Sequence, residues 1–166
     1  MAAGSTYTPI ATTTLGSSAA SYTFSSIPTT YTDLVLIING SSNTGTNMEL
    51  QVGNGSVDTG SNYSDTWMAG SGTSALSGKD GPNYPYVILS NYYNAQGMTI
   101  INFMNYSNTT TYKTFLSRAS AAGWAAAAYA GLWRSTAAIN TIKIASGGAT
   151  TWNTGTTFTL YGIAAA

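Results

Sequence analysis

Residues 131–163, GLWRSTAAINTIKIASGGATTWNTGTTFTLYGI, set the period by which the rest of the chain is read. Ile142 and Ile144 alternate with Thr141 and Lys143, and Phe158 and Leu160 alternate with Thr157, Thr159 and Tyr161. A period of two marks half-buried strands. Gly147, Gly148, Asn153 and Gly155 lie between the two runs. The expectation is a hairpin with a turn-rich loop, completing a sheet begun near the N-terminus.

The same pattern extends toward the N-terminus. Pro9, Ile10 and residues 11–14 read as a first strand, with Pro9 at its start, where a missing amide costs least. Tyr22 and Phe24 share one face of a second strand, which stops at Ile27-Pro28 because Pro28 disfavours helical backbone at Ile27. Leu34 to Ile38 is a continuous apolar run. Five residues also fit a buried helical turn, but their length and the following Asn39-Gly40, a hairpin-turn dipeptide, select a strand at the centre of the core. Met48, Leu50 and Val52 alternate with Glu49 and Gln51, and Asn54-Gly55 marks a turn. Residues 53–85 read as a long loop holding one short strand at 62–69. Strands resume at 86–89, 98–106 and 112–119.

The segment 119–133, ASAAGWAAAAYAGLW, is rich in the best helix former. It lacks a charged face, carries Gly123 and Gly131 near its ends and sits among strands, so a strand is expected over 119–133. Its small side chains would let a neighbouring surface approach closely. Strands punctuated by turns along the whole chain predict one all-β domain over 1–166, a sandwich or barrel.

Composition narrows the functions. Charged residues make up 6% of the 166, where roughly 25% is ordinary. Five basic and five acidic residues cancel, so no net field recruits nucleic acid or anionic lipid. With 43% hydrophobic residues, twelve Tyr and four Trp, the chain can bury a core and is not read as disordered. No apolar run reaches the roughly 20 residues of a membrane helix, and the first ten residues lack the basic and apolar regions of a signal peptide.

Chemistry is restricted as well. The chain has no His and no Cys, which removes the usual general base, the thiol nucleophile and the soft metal ligands. No metal and no cofactor is expected. Asp58, Asp65 and Asp80 are the carboxylates that a glycoside hydrolase would need, but they read as turn residues. Residues 70–75 match a loose dinucleotide fingerprint without the strand–helix context that would support it. Arg134, between Trp133 and Ser135, reads as structural, donating to turn carbonyls or pairing with an acid such as Asp33. Trp67, Tyr92, Tyr93 and Trp152 fall in or beside predicted loops and suit a contact surface, since aromatic rings bring large area with few rotors. Trp124, Ala126 and Ala128, on the flat Ala-rich segment, complete the candidate interface.

Taken together, TYTPIATTTLGSSAASYTFSSIPTTYTDLVL (6–36), GSNYS (60–64), YKTFLS (112–117), GLWRSTAAINTIKI and TFTLYGI resemble a group of tailed-bacteriophage virion proteins over nearly the whole chain. The Ala-rich 119–130 segment departs from many relatives. The resemblance implies an antiparallel β-sandwich of jelly-roll-like type and a non-enzymatic structural protein of the virion. The first expectation is a capsid decoration or cement protein that joins shell subunits such as the major capsid protein. The alternative is a tail-fibre or receptor-binding module contacting host glycans. It also implies a homo-oligomer, a trimer first, on the capsid surface or tail after synthesis in the host cytoplasm.

Overall fold

Leu34, Leu36 and Ile38 all point one way from a single strand and are fully buried. In the computed structural model, which describes residues 6–92, 95–121, 123 and 125–164 (backbone only at 46 and 90–92), that strand is β3 (Asp33–Gly40) and lies near the middle of a large sheet. The first strands are β1 (Tyr7–Thr14), β2 (Ser21–Phe24), β4 (Thr46–Asn54), β5 (Ser56–Val57) and β6 (Tyr63–Gly70). They are followed by β7 (Ala75–Tyr84), β8 (Val87–Tyr92), β9 (Gly97–Phe103) and β10 (Lys113–Ala121). The last are β11 (Ala125–Trp133), β12 (Thr141–Ser146) and β13 (Thr157–Ile163). No helix occurs among the described residues.

Two antiparallel sheets form a sandwich. The large sheet has the order β1-β13-β3-β9-β10-β11-β6-β7, and the small one β2-β12-β4-β5, with β8 also paired to β4. Between them lie Leu36, Phe103, Phe115 and Phe158 from the large sheet and Met48, Leu50, Val52 and Ile144 from the small one, all fully buried. Each such side chain contributes roughly 1.5–3 kcal/mol by leaving water.

Four pairs make up the body: β1·β13, β2·β12, β3·β9 and β4·β8. Successive pairs fall alternately into the large and the small sheet. This corrects two expectations. β12 and β13 are not a hairpin: the loop between them crosses from one sheet to the other. Each does pair with an N-terminal strand, β12 with β2 and β13 with β1. Asn39-Gly40 is not a hairpin turn either, because both residues remain in β3, opposite Met98 and Gly97. Gly40 is required for a close approach, since a Cβ there would lie 2.4 Å from the Thr156 side chain. Asn54-Gly55, by contrast, is the expected turn, with Gly55 at φ +83° between β4 and β5.

The remaining strands extend the large sheet. β10 and β11 form a hairpin in which Ala121 faces Ala125, so the Ala-rich segment is extended but divides into two strands at a tip. β6 joins β11, and β7 forms the edge. Strand β7 occupies part of the loop expected over 53–85, a stretch rich in Gly, Ser, Asn and Asp, and it holds Gly78, Gly81 and Pro82. At an edge Pro82 costs the sheet little, Gly81 (φ +127°) sits by the irregularity in the β6·β7 register, and Gly78 is the residue over which the Trp67 indole lies.

A Cβ on Gly78 would fall 2.7 Å from Cζ2 of Trp67, whereas one on Gly70 meets nothing within 4 Å. Gly78→Val is therefore expected to lower unfolding stability by about 1–3 kcal/mol, from displaced packing. Gly70→Ala should stay within about 0.5 kcal/mol of the parent. Urea unfolding of the two variants side by side checks this.

Candidate functional site

Alternation decides which side chains the extension shows to solvent. On β11, Tyr129 is buried and Ala127 half-buried toward the sandwich, while Ala126, Ala128 and Ala130 are exposed on the outer face. Ala128 lies between Arg118 of β10 and Met68 of β6 in register. Met68 is 66% and Leu116 55% exposed, high values for side chains of their size. The end of this face near the β10–β11 tip thus presents Ala126, Ala128 and Met68, with Arg118 beside them.

Toward the opposite end the outer face hollows into an open cleft of about 590 Å³. Leu116, Ala130 and Leu132 line it, with the hydroxyl-bearing Ser64, Thr66 and Thr114, and Met104 and Pro82 border it. Lys79 and Arg134 also line the cleft. Lys79 is opposite Thr66 in register, and Arg134 Nη2 donates to Ser64 Oγ at 2.8 Å. The second guanidinium nitrogen, Nη1, is buried without an acceptor.

Charge is segregated on this otherwise neutral chain. Lys79, Arg118 and Arg134 all belong to the outer side of the extension, whereas Asp65 and Asp80, which also border the cleft, turn their carboxylates inward. Asp65 points between the sheets, where Oδ2 accepts the Ile88 amide at 3.0 Å, and Asp80, opposite Asp65 in register, is on the same side. Glu49 lies on β4 beside Tyr86 and Lys143. Asp58 accepts from Gly60, Asn62 and Trp133, each at 2.8 Å. Asp33 accepts the Asn105 amide. Zero net charge therefore conceals a cationic face, which the residue totals alone could not reveal.

The carboxylates differ in what holds them. Burial pushes Asp65 up to about 6, against the Ile88 hydrogen bond and with the Asp80 charge adding to the rise. At Asp58 burial also acts upward, but the hydrogen bonds from Trp133, Asn62 and Gly60 outweigh it and hold the carboxyl below its usual range. Asp58 is thus the turn residue that sequence suggested. Asp65 and Asp80 are instead strand residues, and the Asp65 carboxylate faces away from the cleft. Lys113 is 1% exposed and donates to the Thr111 and Thr136 carbonyls at 2.8 and 3.2 Å, tying together the loops before β10 and after β11. Burial lowers its pKa.

The candidate interface residues separate. Ala126 and Ala128 are on the exposed face. Trp67 faces the sandwich, packed against Tyr129 with ring centroids 6.4 Å apart. Trp152 is fully buried. Tyr93 and Trp124 lie outside the described residues, and Tyr92 is described through its backbone in β8. Arg134 is bonded to Ser64 and Asp33 to Asn105, so the suggested Arg134–Asp33 pairing is replaced by two separate hydrogen bonds. No protein-family model matches the chain, and neither does any curated protein. The cleft residues Met104, Ala130 and Leu132 are not singled out by the sequence. Alternation defines two faces of a strand without saying which one the second sheet covers.

Asp65 carries a pH signature. Its folded pKa, about 6, lies above the ordinary value of 3.8, so between those values the native state binds more proton than the unfolded one, and stability falls as pH rises through that window. Asp65→Asn keeps an acceptor for the Ile88 amide and removes the titration. Relative to the variant, the wild-type protein should lose stability between about pH 4 and 6 and stay lower above it, by on the order of 1–3 kcal/mol. Urea midpoints measured across this range for both proteins test it. A constant difference would show that Asp65 does not titrate in this way.

Proposed function

We propose that this protein is a non-enzymatic structural component of a tailed-bacteriophage particle, most readily a capsid decoration or cement protein that joins neighbouring shell subunits. The observation carrying the proposal is the exposed outer face of the four-strand extension, a surface of Ala126, Ala128, Met68 and Leu116 presented by a β-sheet framework. Exposed apolar surface of this kind marks contact sites. The pairing of β1 with β13, β2 with β12, β3 with β9 and β4 with β8, alternating between sheets, supports a jelly-roll-like reading of the sandwich. That agrees with the virion proteins the sequence resembles.

In this reading the tip end of the face meets another copy of the chain, with a trimer as the first choice. Small alanine side chains let the approaching backbone come close, while Met68 supplies area that leaves water. A tail-fibre or receptor-binding role is the second reading, favoured by the cationic cleft farther along the same face.

Ala126→Glu or Ala128→Glu should reduce the mass of the oligomer toward that of a monomer, with circular dichroism and melting temperature little changed, because both side chains are exposed. Light scattering after size exclusion measures this. A wild-type protein that stays monomeric at every accessible concentration would defeat the self-association. Purified particles with no copy of the chain on the capsid would defeat the cement assignment.

A further inference from the structure

We propose that the cleft on the outer face of β6, β7, β10 and β11 binds the carboxylate-bearing sugar unit of an acidic glycan. Its volume, about 590 Å³, lies in the range of small-ligand sites. Its lining is divided by chemistry. Leu116, Ala130 and Leu132 offer an apolar floor for the C–H face of a sugar ring, and the hydroxyls of Ser64, Thr66 and Thr114 can bond with ring hydroxyls.

The charge requires an anion. Arg134 and Lys79 line the cleft, and Ser64 fixes the Arg134 guanidinium by accepting from Nη2 at 2.8 Å. A guanidinium positioned in this way, with the exposed Lys79 lining the same cleft, attracts a carboxylate. Asp65 and Asp80 border the cleft along their strands, but the Asp65 side chain is held at the Ile88 amide on the opposite face and Asp80 shares its side. A nucleotide is disfavoured because base recognition relies on aromatic stacking, and the Phe115 ring bordering the cleft is fully buried. The site lies apart from Ala126 and Ala128, so the proposal holds whether or not the chain assembles through them.

The test is an NMR titration of the full chain, following the methyl groups of Leu116, Leu132 and Met104. The probes are sodium glucuronate and N-acetylneuraminate, with glucose, inorganic phosphate and AMP as comparisons. The acidic sugars should give saturable shifts at these methyls in the millimolar range, weakened by added salt, while glucose gives none. Lys79→Gln, an exposed position, should weaken binding several-fold. Ala130→Leu, which fills the floor without altering charge, should abolish it in protein whose dichroism is unchanged. If Ala130→Leu does not fold, Lys79→Gln decides the matter alone. Absence of shifts at these methyls, or an unchanged affinity in Lys79→Gln, would overturn the proposal. Equal binding of phosphate or AMP would overturn the sugar assignment in favour of a general anion site.

Discussion

Trp152 joins the two sheets. It is fully buried and sits in the loop that carries the chain from β12 to β13, between the β1–β2 and β3–β4 loops. Its backbone exchanges hydrogen bonds with Ala19 at 2.8 and 3.2 Å, and its neighbours Thr151 and Asn153 bond Asn43 and Ser41. All three loops cross between the sheets, so one residue gathers three crossings. Its ring meets Phe158 of β13 edge-on, and Phe158 stacks on Tyr22 of β2, which ties the large sheet to the small one through aromatic contact. Without this junction the loops would carry backbone groups that need other partners.

With the body closed in this way, the segments between its strand pairs are free to build outward. The chain from β4 to β8 supplies β6 and β7, and the chain from β9 to β12 supplies β10 and β11. These two excursions, distant in sequence, zip together along β6·β11 over eight registered pairs from Tyr63–Trp133 to Gly70–Ala126. The inner side is fixed to the body by Tyr63, whose hydroxyl donates to Val52 and Asp58 carbonyls, and by Ser117, which donates to Leu89. The outer side has no such layer above it. That asymmetry is why alanines, two large apolar side chains and three cations come together on one exposed surface in a chain with little charge.

The strands were legible because the two-residue period survives in sequence wherever one face is buried, as at Met48–Leu50–Val52 and Phe158–Leu160. Pairing was less legible. Nothing in residues 141–163 says that β12 and β13 belong to different sheets, because period fixes sidedness and leaves partner choice to long-range packing. Strand β7 was lost for a local reason, since an edge position tolerates Gly and Pro that a central strand rejects. The Ala-rich segment was read as extended, but its hairpin tip has no distinctive turn dipeptide beyond Gly123. Of the site, Ala126 and Ala128 were visible as a flat stretch. The cleft was not, because Lys79, Ala130, Leu132 and Arg134 converge only after four strands are registered.

Through the Trp152 junction both sheets form one cooperative unit, and the extension is left as an exposed surface. Hydrogen exchange of Trp152→Ala, compared with wild type, tests it most directly. Removing so large a buried ring is expected to cost about 3–5 kcal/mol. In the variant β1, β3 and β13 in one sheet and β2, β4 and β12 in the other should lose protection together and by a similar factor. Faster exchange confined to the β12–β13 loop, with both sheets as protected as in wild type, would contradict it.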